Sequence, residues 1–147
     1  MNREGVPVAS SDKFNFQVIT PDRTAFAAEV AGVVLPGVVG QFGVLPDHAP
    51  FFSILKIGVM KVIHEHPGKT ETMTVAGGFA DVRGNEVVVL TQSAERAEEI
   101  DVNRAEAARK RAEERIASRA ANVDMARAQA ALTRALTRLA VAKQRTP

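Results

Sequence analysis

The stretch 70–91, TETMTVAGGFADVRGNEVVVLT, decides the fold of this chain. Gly84-Asn85 is a two-residue hairpin signal, and it lies between segments rich in β-branched residues. Gly77-Gly78 interrupts the first of those segments. The pattern therefore predicts three strands joined by short connections, over residues 70–76, 79–83 and 86–91.

The residues before this stretch continue the same pattern. Further segments favour strands, namely 14–20, 30–35 and 54–63. Between the last two, residues 36–50 hold three glycines and three prolines, which predicts a rigid surface loop that could dock a partner. Many short strands at close spacing, without a helical period between them, predict an antiparallel sandwich or flattened barrel.

The residues after this stretch have a different composition. Residues 85–147 contain no glycine and, before the last position, no proline, whereas alanine, arginine and glutamate abound. This composition predicts two helices, the first over 101–119 with Asp101 as its N-cap and the second capped by Asn122 or Asp124. We therefore predict an α+β chain in three parts: a disordered lead-in over 1–13, a β-sandwich over 14–93 and a two-helix hairpin over 94–147.

Each predicted helix has one apolar face. On the first helix this face is thin and consists of Ala105, Ala108, Ala112 and Ile116. On the second helix the apolar residues recur every three or four positions, at Met125, Ala128, Leu132, Ala135, Leu139 and Ala142. These faces bury too little apolar surface to stabilise a helical hairpin by itself. We therefore expect the hairpin to pack against the β-sandwich or against another protein.

The second helix also carries a basic stripe on the opposite side, at Arg127, Arg134, Arg138 and Arg145. Charge is uneven along the chain: residues 1–93 carry seven bases and nine acids, a net of −2, and residues 94–147 carry twelve bases and eight acids, a net of +4. A stripe of this kind is most often a solvated face, but the lack of interleaved acids favours an acidic partner.

Candidate catalytic and metal-binding groups are few. His48 has no nucleophile or ligand partner close in sequence, and His64 and His66 form only a pair beside a turn, where solvated side chains are expected. We predict no catalytic residue and no metal site. The sequence has no cysteine and no apolar run of membrane-spanning length, so a cytosolic location is the default.

Three motifs make the chain similar to a known family. Residues 40–50, GQFGVLPDHAP, resemble the pattern G-x-x-G-[VI]-x-P-x-H-A-P; residues 75–82, VAGGFADV, are similar to a glycine-paired strand junction; and residues 100–105, IDVNRA, resemble [IL]-D-x-x-R-A. In this order and spacing they resemble the epsilon subunit of bacterial F-type ATP synthases, over residues 14–143. The resemblance implies a β-sandwich of about ten strands followed by a two-helix hairpin.

The resemblance also implies a role and a place. The role is that of a non-catalytic central-stalk subunit of a rotary ATP synthase, which couples proton translocation to ATP synthesis. The implied partners are the gamma subunit, the ring of c subunits and the alpha/beta catalytic head, in a complex at the inner membrane of a bacterium, with this chain peripheral on the cytoplasmic side. The loop would supply docking residues for the c-ring and for gamma, namely Val38, Val39, Gln41, Phe42 and His48.

The helical hairpin is the regulatory part that the resemblance implies. It would either fold down on the sandwich or extend into the head and block ATP hydrolysis. The basic face Arg127, Arg134 and Arg138 would then meet an acidic segment of a beta subunit. No cofactor is required by this role. Some family members also bind ATP in the folded-down hairpin, which would make ATP a regulatory ligand here; the alternative is that Asp101 only caps the helix and pairs with Arg104, and that the arginines are solvated. The matching residues here are Glu95, Asp101, Arg104, Arg111, Arg134 and Arg138.

Two functions of other classes are weighed against this one. A nucleic-acid-binding module would use the basic last helix, but the sequence has no tyrosine or tryptophan for stacking, and residues 1–93 are net acidic. An enzyme would have to use His48 as an acid or base without an evident partner. Both interpretations are weaker than that of a stalk subunit.

Overall fold

The computed structural model describes residues 13–65 and 67–144. Within these residues the chain forms seven strands, followed by two helices. The strands are β1 (Phe14–Ile19), β2 (Thr24–Val30), β3 (Gly32–Gly37), β4 (Gly40–Val44), β5 (Phe51–Ile63), β6 (Thr70–Arg83) and β7 (Glu86–Leu90). A short 3-10 turn (Ala97–Glu99) precedes the helices α1 (Val102–Ser118) and α2 (Met125–Ala142). The predicted lead-in lies outside the described residues, except for its last position.

The strands form one sheet that folds over on itself, in the order β2-β1-β7-β6-β5-β3-β4. Although β2 and β5 are far apart in this order, the rings of Phe26 and His64 lie 5.8 Å apart. The amide of Ala31, just after β2, also donates to the carbonyl of Ile63 at 2.7 Å. The two layers enclose a single core that includes Phe16, as the predicted sandwich requires.

Most neighbouring strands are antiparallel, but β1 runs parallel to β7. The pair is extended at both ends by backbone hydrogen bonds, from the amide of Asn15 to the carbonyl of Asn85 and from the amide of Thr91 to the carbonyl of Ile19. Antiparallel pairing is imposed only on strands that a tight turn joins. Since β1 and β7 are separated by the rest of the sandwich, no turn dictates their relative direction.

The predicted interruption at Gly77-Gly78 is wrong, because β6 runs through it. Leu55 pairs with Gly78 and Ile57 with Ala76, so the register with β5 continues across the glycines. Both glycines have positive φ, and a Cβ at Gly78 would lie 1.9 Å from the carbonyl oxygen of Leu90. The glycines therefore let the backbone of β6 pass close to that of Leu90 at the end of β7. Residues 70–83 form one strand where two were predicted, and the described residues form seven strands instead of about ten.

Two strands lie where none was predicted. β2 occupies 24–30 and β3 begins at 32, so the predicted strand over 30–35 straddles the boundary between them. β4 lies inside the predicted loop 36–50 and forms a hairpin with β3, in which Gly37 pairs with Gly40. β2 is rich in alanine and β4 in glycine, so neither has the β-branched composition that favours strands.

The two helices form the predicted hairpin. Asp101 caps α1, since its Oδ1 accepts the Arg104 amide at 3.0 Å, and Asp124 rather than Asn122 caps α2, accepting the Arg127 amide at 3.1 Å. Arg119, with a left-handed φ of 51°, ends α1. On the facing sides of the helices, the small residues Ala105, Ala112, Ala128 and Ala135 are buried, as the periodicity predicts.

Helix α2 also packs against the sandwich, through a face that was not predicted. Val141 is fully buried against Ala97, Ile100 and Val59, whereas Met125 from the predicted apolar stripe is 40% exposed. Thr137, one turn before Val141, is buried too. The hairpin therefore lies folded down on the sandwich.

Because α2 packs on the sandwich, the arginines of its basic stripe lie in two different environments. Arg127 is exposed, but Arg134 and Arg138 are partly buried and line a narrow gap together with Thr74 and Val75 of β6. The expectation of a stripe opposite the packed face is thus wrong for these two arginines, because α2 has two packed faces rather than one. Arg145 lies outside the described residues.

Candidate functional site

The segment between β7 and α1, residues 91–101 and hereafter the linker, is bound to the sandwich along its length. The amides of Thr74 and Ala76 donate to the carbonyls of Glu95 and Ser93, at 2.9 and 3.1 Å. In return the amide of Glu95 donates to Oγ1 of Thr74 at 2.9 Å. The linker thus adds to β6 almost as a further strand and fixes where α1 begins.

A second tie joins the linker to the ends of β5 and β6. Arg96 donates from Nη2 to Oε2 of Glu71 at 2.9 Å, and Nε2 of His64 lies 3.1 Å from the same oxygen. The Arg96 guanidinium also lies over the ring of Phe26, 5.5 Å from its centroid. His64 is therefore largely enclosed instead of solvated, contrary to the prediction. His66 lies outside the described residues.

A third tie runs from the β1–β2 turn to the 3-10 helix. Nη1 and Nη2 of Arg23 donate to the two carboxylate oxygens of Glu99, at 3.0 and 3.4 Å, and Nη2 also donates to the carbonyl of Ala94 at 3.1 Å. Partial burial acts to raise the pKa of Glu99, but hydrogen bonds from the Arg96 amide and from Arg23 outweigh it and lower that pKa. The same pairing raises the pKa of Arg23.

A cavity of about 320 Å³ opens where the linker meets the hairpin. Its volume lies within the range of pockets that bind small molecules. It is lined by Glu95, Glu99, Asp101, Arg104, Ala105, Ala108, Arg111 and Arg138. Five of the six residues predicted to bind nucleotide are thus brought together, and we call this space the arginine pocket.

The arginine pocket contains guanidinium groups without a carboxylate partner. Arg138 donates from Nε to Oε1 of Glu95 at 2.5 Å. By contrast, among the described residues no carboxylate lies within 4 Å of the guanidinium nitrogens of Arg104 or Arg111. Asp101 is occupied by the cap of α1. Two unneutralised guanidinium groups in one concave site suit a ligand with several negative charges.

The sixth predicted residue, Arg134, lies outside the arginine pocket. Its side chain borders the gap between α2 and β6, beside Thr137 and Ala76. It also borders a cavity of about 610 Å³ near the turn between the helices, together with Arg115 and Arg127. Arg134 is therefore one turn away from Arg138, but it lines the cavity near the turn between the helices, whereas Arg138 lines the arginine pocket near the linker.

The residues predicted to dock the c-ring and the gamma subunit lie in and beside the β3–β4 hairpin of the sandwich. The β3–β4 turn exposes Val38 and Val39, to 53% and 99%. Gln41 on β4 is exposed, whereas the ring of Phe42 lies edge-on to that of Phe51, with centroids 5.2 Å apart. His48 is half-exposed and its ring lies at a tilt of 50° to the same Phe51 ring, with centroids 5.0 Å apart and with its Nδ1 2.7 Å from the Ala49 carbonyl oxygen. A projecting apolar turn is thus supported by an aromatic cluster.

The sandwich also carries an exposed apolar patch that was not predicted from the sequence. Phe52 and Phe79 stack with centroids 5.4 Å apart, although they are 62% and 44% exposed. Ile54 and Leu90 are about half exposed as well. The signal was present in the sequence as apolar residues at alternate positions facing away from the core, but it needs strand register to be read. We call these four residues the apolar patch.

The described residues contain no group of three or more acidic or histidine side chains that could hold a metal ion. In the same part of the chain, no helix is both long and apolar enough to cross a membrane. The basic groups are not gathered into one broad face either, because Arg138 lines the arginine pocket whereas Arg127 and Arg134 border the cavity near the turn between the helices. That distribution speaks against the nucleic-acid-binding alternative.

Two family models match consecutive parts of the chain. The β-sandwich domain of the ATP synthase delta/epsilon chain matches residues 13–97, and the long α-helix domain of the same chain matches residues 98–143. Together the two matches cover residues 13–143 and define a delta/epsilon-type subunit of ATP synthases.

Curated relatives narrow this class. An ATP synthase epsilon chain of Pelotomaculum thermopropionicum is 54% identical over 73% of this chain and 79% of its own length. Those of Carboxydothermus hydrogenoformans and Nitratidesulfovibrio vulgaris are each 50% identical, over 73% and 70% of this chain and 78% and 75% of their own lengths. This chain belongs to the ATP synthase epsilon chain family.

Solved structures agree with the fold. A chain in the Euglena gracilis mitochondrial ATP synthase, described as OSCP/F1/c-ring, superposes with a TM-score of 0.77 and 24% identity, over 93% of this chain and 86% of that one. A chain in the central stalk and c-ring of the Tetrahymena thermophila mitochondrial enzyme gives 0.51 and 13%, over 92% and 96%. At these identities the likeness concerns the architecture of sandwich and helices.

Proposed function

We propose that this chain is a non-catalytic, coupling and regulatory subunit of the central stalk of a rotary F-type ATP synthase, peripheral on the cytoplasmic side of a bacterial inner membrane. The observation that supports the proposal most is the match of both halves of the chain to epsilon chains. The geometry is compatible with it, because the sandwich offers docking surfaces and the hairpin rests on a small interface. Removing the chain from a purified ATP synthase should uncouple proton flow from ATP synthesis, and adding it back should restore coupling.

We assign the two docking surfaces to different partners. The projecting β3–β4 turn, with the exposed apolar side chains of Val38 and Val39, is the proposed contact with the c-ring. The apolar patch of Phe52 and Phe79 suits the gamma subunit, since large exposed apolar surfaces usually mark protein interfaces. Val39→Asp should weaken binding to the c-ring, and Phe52→Ser should weaken binding to gamma. If each variant binds both partners like the unaltered chain, the assignment is wrong.

The hairpin is the proposed inhibitor of ATP hydrolysis. Arg127 is exposed in the folded-down arrangement, whereas contact between α2 and β6 covers part of Arg134 and of Arg138, so these two would become fully available to an acidic segment of a beta subunit only when α2 leaves the sandwich. The folded-down hairpin would then be the inactive inhibitor. Arg127→Glu should weaken inhibition in a reconstituted catalytic head, with Arg83→Glu on the sandwich as the matched control. Unchanged inhibition by the Arg127 variant would argue against this role.

The arginine pocket is the proposed site for regulatory ATP. Arg104 and Arg111 lack carboxylate partners among the described residues, and the volume of about 320 Å³ accommodates a nucleotide. A ligand that binds only the folded-down form stabilises it by mass action. In a calorimetric titration, ATP should bind the full chain and Arg104→Ala should abolish binding. Absence of saturable binding at millimolar ATP would remove nucleotide sensing from the proposal.

A further inference from the structure

Glu99 lines the arginine pocket but is not part of the predicted nucleotide-binding set. It is the third carboxylate there, beside Glu95 and Asp101. A carboxylate repels a phosphate group, so its presence in a site for a polyanion needs a reason. The three carboxylates differ in the group that binds each of them. That difference gives Glu99 a role separate from those of Glu95 and Asp101.

Glu95 and Asp101 are occupied within the pocket itself. Glu95 pairs with Arg138, which also lines the cavity, and Asp101 accepts the amide of Arg104 at the start of α1. Glu99 instead pairs with Arg23, which does not line the cavity. Its charge is balanced from the sandwich side, and Arg104 and Arg111 remain unneutralised for an incoming anion.

Arg23 has a fixed position on the sandwich. Its carbonyl accepts the amide of Thr20 at 2.9 Å, and Oγ1 of Thr20 donates to Oδ1 of Asp22 at 2.8 Å, so the β1–β2 turn is closed by several hydrogen bonds. Thr20 is buried. From this turn the Arg23 guanidinium engages both oxygens of Glu99, and a two-point contact of this kind sets the plane of a carboxylate.

Glu99 still has acceptor capacity. A carboxylate can accept about four hydrogen bonds. Oε1 accepts from the Arg96 amide at 2.8 Å and from Nη2 of Arg23, whereas Oε2, among the described residues, accepts only from Nη1 of Arg23. The side chain is 36% exposed and lines the cavity, so Glu99 can accept another donor there.

We propose that Glu99 is a specificity-determining residue of the arginine pocket and that Arg23 is its positioning residue. The ligand would then be a polyanion that also carries hydroxyl or amino donors, such as a nucleoside triphosphate, with its phosphates on Arg104 and Arg111 and a sugar hydroxyl or base amine on Glu99. Inorganic triphosphate has the charge but lacks the donors. The inference rests on the nucleotide site proposed above and adds the reason why the site selects a nucleotide.

Calorimetry on the full chain with two probes, ATP and inorganic tripolyphosphate, tests the proposal. The unaltered chain should bind ATP at least about tenfold more tightly than tripolyphosphate, because a hydrogen bond to a charged group is lost with the second probe. Glu99→Gln should reduce this preference about tenfold, in part by raising the affinity for tripolyphosphate. Arg83→Ala, which removes an exposed sandwich arginine paired with Asp81, should leave the preference unchanged.

The positioning role has its own readout. Arg23→Ala should lower the affinity for both probes, because a freed Glu99 can turn toward the pocket arginines, and it should also reduce the preference. On the Glu99→Gln background the same substitution should have no further effect on the preference. Arg23→Lys keeps the charge but not the two-point contact and should give an intermediate value. Thermal unfolding of each variant checks that the fold is retained.

The outcomes separate the two proposals. If the unaltered chain binds ATP but prefers it no more than tripolyphosphate, or if Glu99→Gln keeps the full preference, Glu99 is not a specificity residue while the nucleotide site stands. If Arg23→Ala changes the preference equally with and without Glu99, Arg23 does not act through Glu99. If neither probe binds, the nucleotide site and the role of Glu99 are both refuted.

Discussion

The docking of the hairpin on the sandwich depends on Val141, and shortening this side chain should release the hairpin measurably. Val141 is fully buried and packs on Ala97, Ile100 and Val59. Val141→Ala removes two buried methyl groups, at about 0.8 kcal/mol each, and leaves a small cavity, so the docked form should lose about 2 kcal/mol. That corresponds to a shift of about 30-fold toward the released form.

Amide hydrogen exchange followed by NMR would measure this shift. Amides of α2 should exchange about 30-fold faster in Val141→Ala, whereas amides of β6 and β7 should keep their protection, since the core of the sandwich is separate. Leu136→Ala is the matched control, because Leu136 lies on the same helix but is 48% exposed. Equal exchange rates in Val141→Ala and the unaltered chain, or equal acceleration by both substitutions, would refute the argument.

Three further predictions concern the sandwich, the helix start and the linker. Gly78→Ala should destabilise the sandwich by more than about 3 kcal/mol because its Cβ would overlap a carbonyl oxygen, whereas Gly84→Ala, at positive φ but in open space, should cost about 1 kcal/mol in chemical denaturation. Asp124→Ala should lower the helicity of α2 seen by circular dichroism and cost about 1 kcal/mol, and Asp124→Asn should restore most of it. The pKa of Glu99 is lower in the folded chain because its partial burial is outweighed by hydrogen bonds from the Arg96 amide and from Arg23, so these bonds stabilise the fold above the unfolded pKa of about 4.5, and their contribution is lost as pH falls through the folded value. Glu99→Gln should therefore flatten the acid limb of a plot of unfolding free energy against pH, and an unchanged acid limb would contradict the pairing.

Much of the fold follows from local sequence signals, and the exceptions have physical causes. The β-branched runs and the Gly84-Asn85 turn predicted β1, β5 and β7 well, since their composition matches their environment. β2 and β4 were missed because their alanine and glycine residues carry no strand preference, and only pairing with β1 and β3 holds them extended. The caps at Asp101 and Asp124 were predictable because capping acts over three residues.

The candidate site was predictable only in part, because some of its contacts join residues that are far apart in the sequence. The resemblance to the family supplied Arg104, which lies in the motif at 100–105, and also Glu95 and Arg111, which lie outside the three motifs, and the structure gathers all three in one pocket. Arg23 and Glu99 are 76 residues apart, and no periodicity or spacing links them. The direction of Arg134 was missed because helical spacing gives the angle between side chains but not which face of α2 meets the sandwich.

The ties along the linker set the reach of the hairpin. The hydrogen bonds and ion pairs of the linker hold the chain to the sandwich as far as Glu99. If the helices move away from the sandwich while these contacts persist, the hinge must therefore lie at residues 100–101. At 1.5 Å per residue, the 17 residues of α1 and the 18 residues of α2 form helices about 26 and 27 Å long. If the two helices extended end to end, the C-terminal end of α2 would lie roughly 50 Å from the hinge, while the sandwich kept its contacts with its partner subunits. The distance between two spin labels, one on β6 and one near Ala142, would measure this displacement directly. If the linker also detached from the sandwich, the measured distance would exceed the value expected for a hinge at residues 100–101.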